Sequence, residues 1–300
     1  MNDLYLSRIQ NMKAKRRALL RQAGLGSAFA AGMLASPSGL GLLADHSARA
    51  APHVTDADIL NFALNLEYLE ASYYLFAING TGLDPSDVTG IGTPGGVIGG
   101  GAVPFKTTSI EQYARTIAWD EQAHVRFLRS ALGSKAVAQP AIDLYGSFTN
   151  AAIAAGLIQP GQMFNPFADE QSFLLGAYLF EDVGVTAYSG AAPLITSKTY
   201  LEAAASILAV EAYHAGNVRT VLYELGLGDA TAKISAARAA LSEAKDDQGV
   251  VMNGVANIPP TDINGLAFTR TTTQVLNIVY LGGASANYGF FPKGLNGAIA

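Results

Sequence analysis

Apolar residues recur at helical spacing through four long stretches of this chain, 58–79, 109–132, 169–192 and 198–225. Each is closed by a residue that stops a helix: Gly80, Gly133 and Gly226 end the first, second and fourth, and Pro193 follows the third. Thr55 with Asp56 and Asp58 marks the start of the first, because a threonine oxygen and early carboxylates satisfy the free N–H groups of an opening turn. Shorter stretches at 147–157, 229–244 and 271–281 predict three more helices. A Gly/Pro-rich segment, 80–107, separates the first two long helices and reads as a loop without helix periodicity. A connection of roughly thirty-five residues separates the second from the third, whereas the third and fourth form a tight hairpin. The expectation is an all-α fold, a four-helix bundle made of two helical hairpins joined by a long crossover. Extra C-terminal helices and an irregular tail follow, whose Phe290 and Phe291 should pack over the bundle.

Glutamate precedes histidine by three positions twice, Glu121 with His124 and Glu211 with His214, each inside a long helix. Residues three apart lie about 60° apart around a helix and about one turn along it, so both side chains can reach one point in a bundle interior. With ten glutamates in the chain, chance supplies both pairs roughly once in a thousand sequences. A carboxylate and an imidazole from each of two helices make half of a di-metal site, and the other half needs one inward glutamate from each remaining helix. Glu181 lies in the middle of the apolar stripe of Leu174, Ala177, Tyr178, Val185 and Tyr188. A bare carboxylate there would cost several kcal/mol, so metal ligation or protonation must offset it. The first helix offers two candidates. Glu70 is nearer the centre of its stripe, but Glu67 stands seven before Tyr74 just as Glu181 stands seven before Tyr188. The two halves then repeat: Glu67, Tyr74, Glu121, His124 and Arg129 match Glu181, Tyr188, Glu211, His214 and Arg219.

The chain has no cysteine, which excludes disulfides, zinc–thiolate sites, iron–sulfur clusters and thiol nucleophiles. Seven of its nineteen basic residues fall in the first fifty, with only Asp3 and Asp45 of the acids. The remaining body is acidic, which disfavours nucleic acid and anionic membrane surfaces as partners. Lys13, Lys15, Arg16, Arg17 and Arg21 precede a mildly apolar stretch at 23–43, and Ala48-Arg49-Ala50 offers a small-residue cleavage site. This segment resembles a twin-arginine signal, with alanine after the arginine pair and leucine where phenylalanine is usual. A retained membrane anchor is the alternative, but five glycines and Pro37 between 24 and 41 make a poor spanning helix. The expected division is a signal at 1–50, the bundle at 51–226 and a C-terminal extension at 227–300. After cleavage no stable membrane insertion is expected, and the export machinery is a partner.

The sequences Asn65-Leu66-Glu67-Tyr68-Leu69-Glu70-Ala71, Asp120-Glu121-Gln122-Ala123-His124, Phe180-Glu181-Asp182-Val183-Gly184 and Val210-Glu211-Ala212-Tyr213-His214 resemble the helix signatures of ferritin-like domain proteins. More narrowly, they are similar to the exported, desiccation-related group. The resemblance implies a ferritin-like four-helix bundle and favours Glu67 as the first-helix ligand, with Glu70 an alternate or supporting group. The ligand set is then Glu67, Glu121, His124, Glu181, Glu211 and His214. Glu67 with His124 would hold one ion and Glu181 with His214 the other, bridged by Glu121 and Glu211. Oxygen and imidazole donors suit two iron or two manganese ions. The expected function is redox chemistry on O2 or H2O2, of ferroxidase, peroxidase or catalase type, in stress protection. The alternative is a structural stress or desiccation-related protein whose site binds metal without turnover or is vestigial. Asp120, Arg129 and Arg219 are candidates either for holding the ligands or for surface charges, and Tyr74 and Tyr188 are expected to be core packing. His46 and His53 carry no ligand spacing, an Asp262–Arg270 ion pair in the tail carries little weight, and a homo-oligomer is compatible with the pattern.

Overall fold

The computed structural model describes residues 54–244, 248–282 and 289–300; the expected signal segment, His46 and His53 lie outside them. Seven α-helices lie in the described residues: α1 (Asp56–Asn79), α2 (Thr108–Leu132), α3 (Gly146–Ala154), α4 (Glu170–Ala191), α5 (Lys198–Glu224), α6 (Gly228–Ser242) and α7 (Thr272–Val279). α1 pairs with α2 and α4 with α5 as two hairpins; α1 also packs on α4, and α2 on α5. The expected all-α bundle and its two extra C-terminal helices are therefore present. Among the described residues no helix is long and apolar enough to cross a membrane.

Local chemistry sets the helix ends. Thr55 caps α1 with a reciprocal pair: its hydroxyl accepts from the Asp58 N–H at 3.3 Å, and the Asp58 carboxylate accepts from the Thr55 N–H at 2.9 Å. Asp56 accepts from the backbone N–H groups of Thr196 and Ser197, both at 2.8 Å, which fastens the start of α1 to the start of α5. Gly80 closes α1 in the left-handed conformation, φ +71°. α3 ends sooner than its apolar pattern suggests, because Gly156 turns the chain at φ +66°.

α1 and α4 are buried around most of their circumference, whereas α2 and α5 each keep one solvent face. Between the hairpins Tyr73 stacks on Phe173 at 5.4 Å and donates its hydroxyl to that residue's carbonyl at 2.7 Å. Phe148, Phe167 and Phe180 surround it. Each fully buried ring of this kind contributes about 1.5–3 kcal/mol of apolar burial. The expected tail packing also forms, since Phe290 and Phe291 are fully buried and Phe290 meets both Phe148 and Phe180 at 5.0 Å.

The glycine-rich segment is more ordered than its sequence suggests. Two-residue strands β1 (Val97–Ile98) and β2 (Ile142–Asp143) pair in parallel, and Ile91 bridges Val137, so insert and crossover are knit together by backbone hydrogen bonds. Gly95 permits the approach, because a Cβ there would collide with the backbone of Ala141.

The C-terminal extension is held by buried charge. Asp182 on α4 accepts from Arg219 of α5 at 2.8 Å and from Arg238 of α6 at 2.6 Å, and both arginines lie against the Tyr178 ring. Asp262 and Arg270 do not pair with each other. Asp262 instead accepts from the N–H groups of Asn264 and Leu266 in its own turn, and Arg270 donates to Thr186 at 2.7 Å. Asp182→Ala should strip two buried guanidiniums of their shared carboxylate and lower unfolding free energy by about 3–5 kcal/mol. Denaturant titration measures this, and a loss below about 1 kcal/mol would show that the cluster does not fasten the extension.

Candidate metal centre

The four long helices bring Glu67, Glu121, His124, Glu181, Glu211 and His214 to one buried place between the hairpins. Their donor atoms fall into two groups, Glu67–Glu121–His124–Glu211 and Glu121–Glu181–Glu211–His214, each with all atoms within 4.8 Å of one another. Glu121 and Glu211 belong to both groups. Opposite ligands of an ion with bonds of about 2.1 Å stand about 4.2 Å apart, so a small contraction would suit one cation in each group.

Nδ1 of His124 lies 3.3 Å from Glu67, 3.6 Å from Glu121 and 3.6 Å from Glu211. Nδ1 of His214 lies 3.0 Å from Glu121 and 3.6 Å from Glu181. None of these contacts is aligned as a hydrogen bond. Glu67 Oε2, both oxygens of Glu121, Glu181 Oε2, both oxygens of Glu211 and the two Nδ1 atoms are all buried without a hydrogen-bond partner. Eight polar atoms crowded together with no aligned hydrogen bond among the described residues are what a cation site needs and what a packed polar network avoids.

The remaining oxygens of the outer glutamates are occupied. Tyr74 of α1 donates to Oε1 of Glu181 on α4, and Tyr188 of α4 donates to Oε1 of Glu67 on α1. These tyrosines, expected as core packing, therefore hold carboxylates across the hairpin boundary. Their seven-residue spacing from a glutamate was the signal that could have found the role. Asp120 does reach one of the six, with its Oδ2 3.1 Å from Nε2 of His214. Arg129 and Arg219 do not reach them. Arg129 donates to Tyr68 at 2.6 Å and to Thr89 at 3.1 Å in the glycine-rich insert, while Arg219 binds Asp182 and the carbonyls of Gly249 and Asn257. Both brace chain segments outside the bundle.

Glu70 is buried beside the six but contributes no atom to either group. It lies near Gly184, where a Cβ would collide with Oε2 of Glu211, so the glycine leaves room for that carboxylate. Burial drives the Glu70 and Glu211 carboxyls well above the ordinary range, with the neighbouring carboxylates adding to it. Burial also lifts Glu67 to about 7 and Glu181 to about 8, although His124 and His214 pull the other way. It opposes the charge on Glu121 too, but the two histidines outweigh it and hold that carboxyl well below its ordinary value. Burial would depress both imidazoles; Glu67 and Glu121 overcome this to bring His124 to about 11, and Glu181, Glu121 and Asp120 bring His214 to about 9. These surroundings favour protons on Glu67, Glu70, Glu181, Glu211 and both imidazoles, and charge on Glu121.

Residues 55–224 match the model of the ferritin-like domain family. The chain is 29% identical over 272 residues to the ferritin-like catalase Nec2 of Nesocodon mauritianus, covering 82% of this chain and 85% of that protein. It is 31% identical over 248 residues to the desiccation-related protein PCC13-62 of Craterostigma plantagineum, covering 74% and 76%. No solved structure matches the chain.

Glu67, Glu181, His124 and His214 all bind protons more tightly when folded than when unfolded. Stability from such groups is full below their ordinary values of 4.5 and 6.5 and is lost as pH climbs through the folded ones. Glu121 acts in the opposite sense, but only in acid below its ordinary value. Metal-free protein should therefore melt at progressively lower temperature between about pH 5 and about pH 9. Calorimetry across that window checks the sign, and a rising melting temperature would contradict the protonated cluster.

Proposed function

We propose that this chain, which belongs to the ferritin-like domain family, is an exported protein that holds two iron or two manganese ions and performs redox chemistry on H2O2 or O2. The observation that carries the reading is the set of eight buried donor atoms crowded together with no hydrogen-bond partner. Four ligand carboxylates and two neutral imidazoles carry four negative charges, which two divalent ions balance. Glu67 and His124 would hold one ion, Glu181 and His214 the other, and Glu121 and Glu211 would lie between both. Bound there, a pair of redox-active ions supplies the electrons that reduction of peroxide or dioxygen requires.

The chain's own residues set the conditions for that chemistry. Tyr74 and Tyr188 each hold one oxygen of an outer glutamate and leave the other directed at the centre. Both phenols are buried, and burial pushes their pKa well above the ordinary value, so each keeps its proton on the hydroxyl. The aromatic and aliphatic shell excludes bulk water from the carboxylates. H2O2 is the first substrate to test, because one relative is named a catalase. Export rests on Arg16 and Arg17 with the apolar stretch behind them, and stress protection on the desiccation-related relative.

Elemental analysis of purified protein should find about two iron or manganese per chain. Removing a shared carboxylate, Glu121→Ala or Glu211→Ala, should eliminate both ions and H2O2 decomposition together. Wild-type protein that loads two ions but neither decomposes H2O2 nor oxidises Fe(II) would reduce the protein to a metal-binding structural role. Wild-type protein that takes up no metal would end the proposal.

A further inference from the structure

The two halves of the cluster repeat almost residue for residue, and where they stop repeating the structure differs. Glu67, Tyr74, Glu121 and His124 correspond to Glu181, Tyr188, Glu211 and His214, and the tyrosine-to-glutamate hydrogen bonds are exchanged between hairpins in both directions. The position before the helix-borne glutamate breaks the repeat. It is Asp120 on α2 but Val210 on α5. Oδ2 of Asp120 reaches across to Nε2 of His214 at 3.1 Å. The corresponding valine offers neither donor nor acceptor, and among the described residues no protein group is hydrogen-bonded to Nε2 of His124.

We infer that Asp120 is a positioning residue that makes the two cation positions unequal, giving the Glu181–His214 side the first and tighter hold on a divalent ion. The inference rests on the di-metal reading above. An ionised carboxylate only accepts, so a neutral His214 facing Asp120 carries its proton on Nε2 and keeps the Nδ1 lone pair toward Glu121 and Glu181. The same contact fixes the ring plane and strengthens Nδ1 as a donor. Among the described residues no carboxylate holds Nε2 of His124 in the same way. Partners of this kind typically change metal affinity by about 10–100-fold when removed. Asp120 is 43% exposed and water weakens its pull, so the lower end of that range applies.

The full chain, stripped of metal and titrated with Co(II), tests this by calorimetry together with visible absorption of the bound ion. Wild type should show two resolved steps, the first about tenfold tighter than the second. Asp120→Ala should weaken the first step by about that factor and leave the second in place, so that the two merge. Asp120→Asn keeps an acceptor but loses the charge, and should fall between the two. The reciprocal change, Val210→Asp, should tighten the second step by providing the partner that His124 lacks. Circular dichroism confirms that each variant is folded. Two equal steps in wild type, or unchanged steps in Asp120→Ala, would overturn the inequality and leave the di-metal reading intact. No Co(II) binding to wild type would remove both.

Discussion

Placing five carboxylates, Glu67, Glu70, Glu121, Glu181 and Glu211, inside a helical bundle is the constraint from which the rest of the structure follows. Each would cost several kcal/mol if charged and unmatched in that environment. Two imidazoles among them supply only part of the compensation. Whatever occupies the centre, protons or cations, must therefore carry positive charge, and the wall around it must be stiff enough to prevent the carboxylates from turning to water. The aromatic packing of Tyr73, Phe148, Phe173 and Phe180 on one side and the Asp182–Arg219–Arg238 cluster on another provide that wall.

The segments outside the four long helices have a consistent role in this scheme. Arg129 ties α2 to the glycine-rich insert, and Arg219 ties α5 to the chain after α6, each eight residues beyond the glutamate that belongs to both donor groups. The tail closes the α1–α4 side through Phe290 and Phe291. Each of these helices is thus fastened, about two turns past its glutamate, to chain outside the four long helices.

Helix boundaries and the six converging residues were legible in the sequence because both arise from short-range periodicity. A glutamate and a histidine three apart on an apolar stripe have one shared direction, and Gly80, Gly133 and Gly226 leave little freedom in where the helices stop. Contacts between distant segments were not legible. The β1–β2 pairing joins residues about forty-five apart with no alternating pattern to announce it, since each strand has two residues. Asp182 read as a neighbour of Glu181 and not as the meeting point of two arginines, because its partners lie on other helices. Arg129 and Arg219 occupy matching positions in the two halves, but a repeat fixes position along a helix and says nothing of which group a long guanidinium reaches.

The exchanged phenol contacts have a consequence for the assembly of the fold. Each hairpin contributes one outer glutamate whose second oxygen is held by a tyrosine of the opposite hairpin. A single hairpin alone would leave its outer glutamate with that oxygen unheld until a second hairpin packed against it. Joining the two in one polypeptide makes the mutual grip permanent, so neither half can complete its own interior without the other.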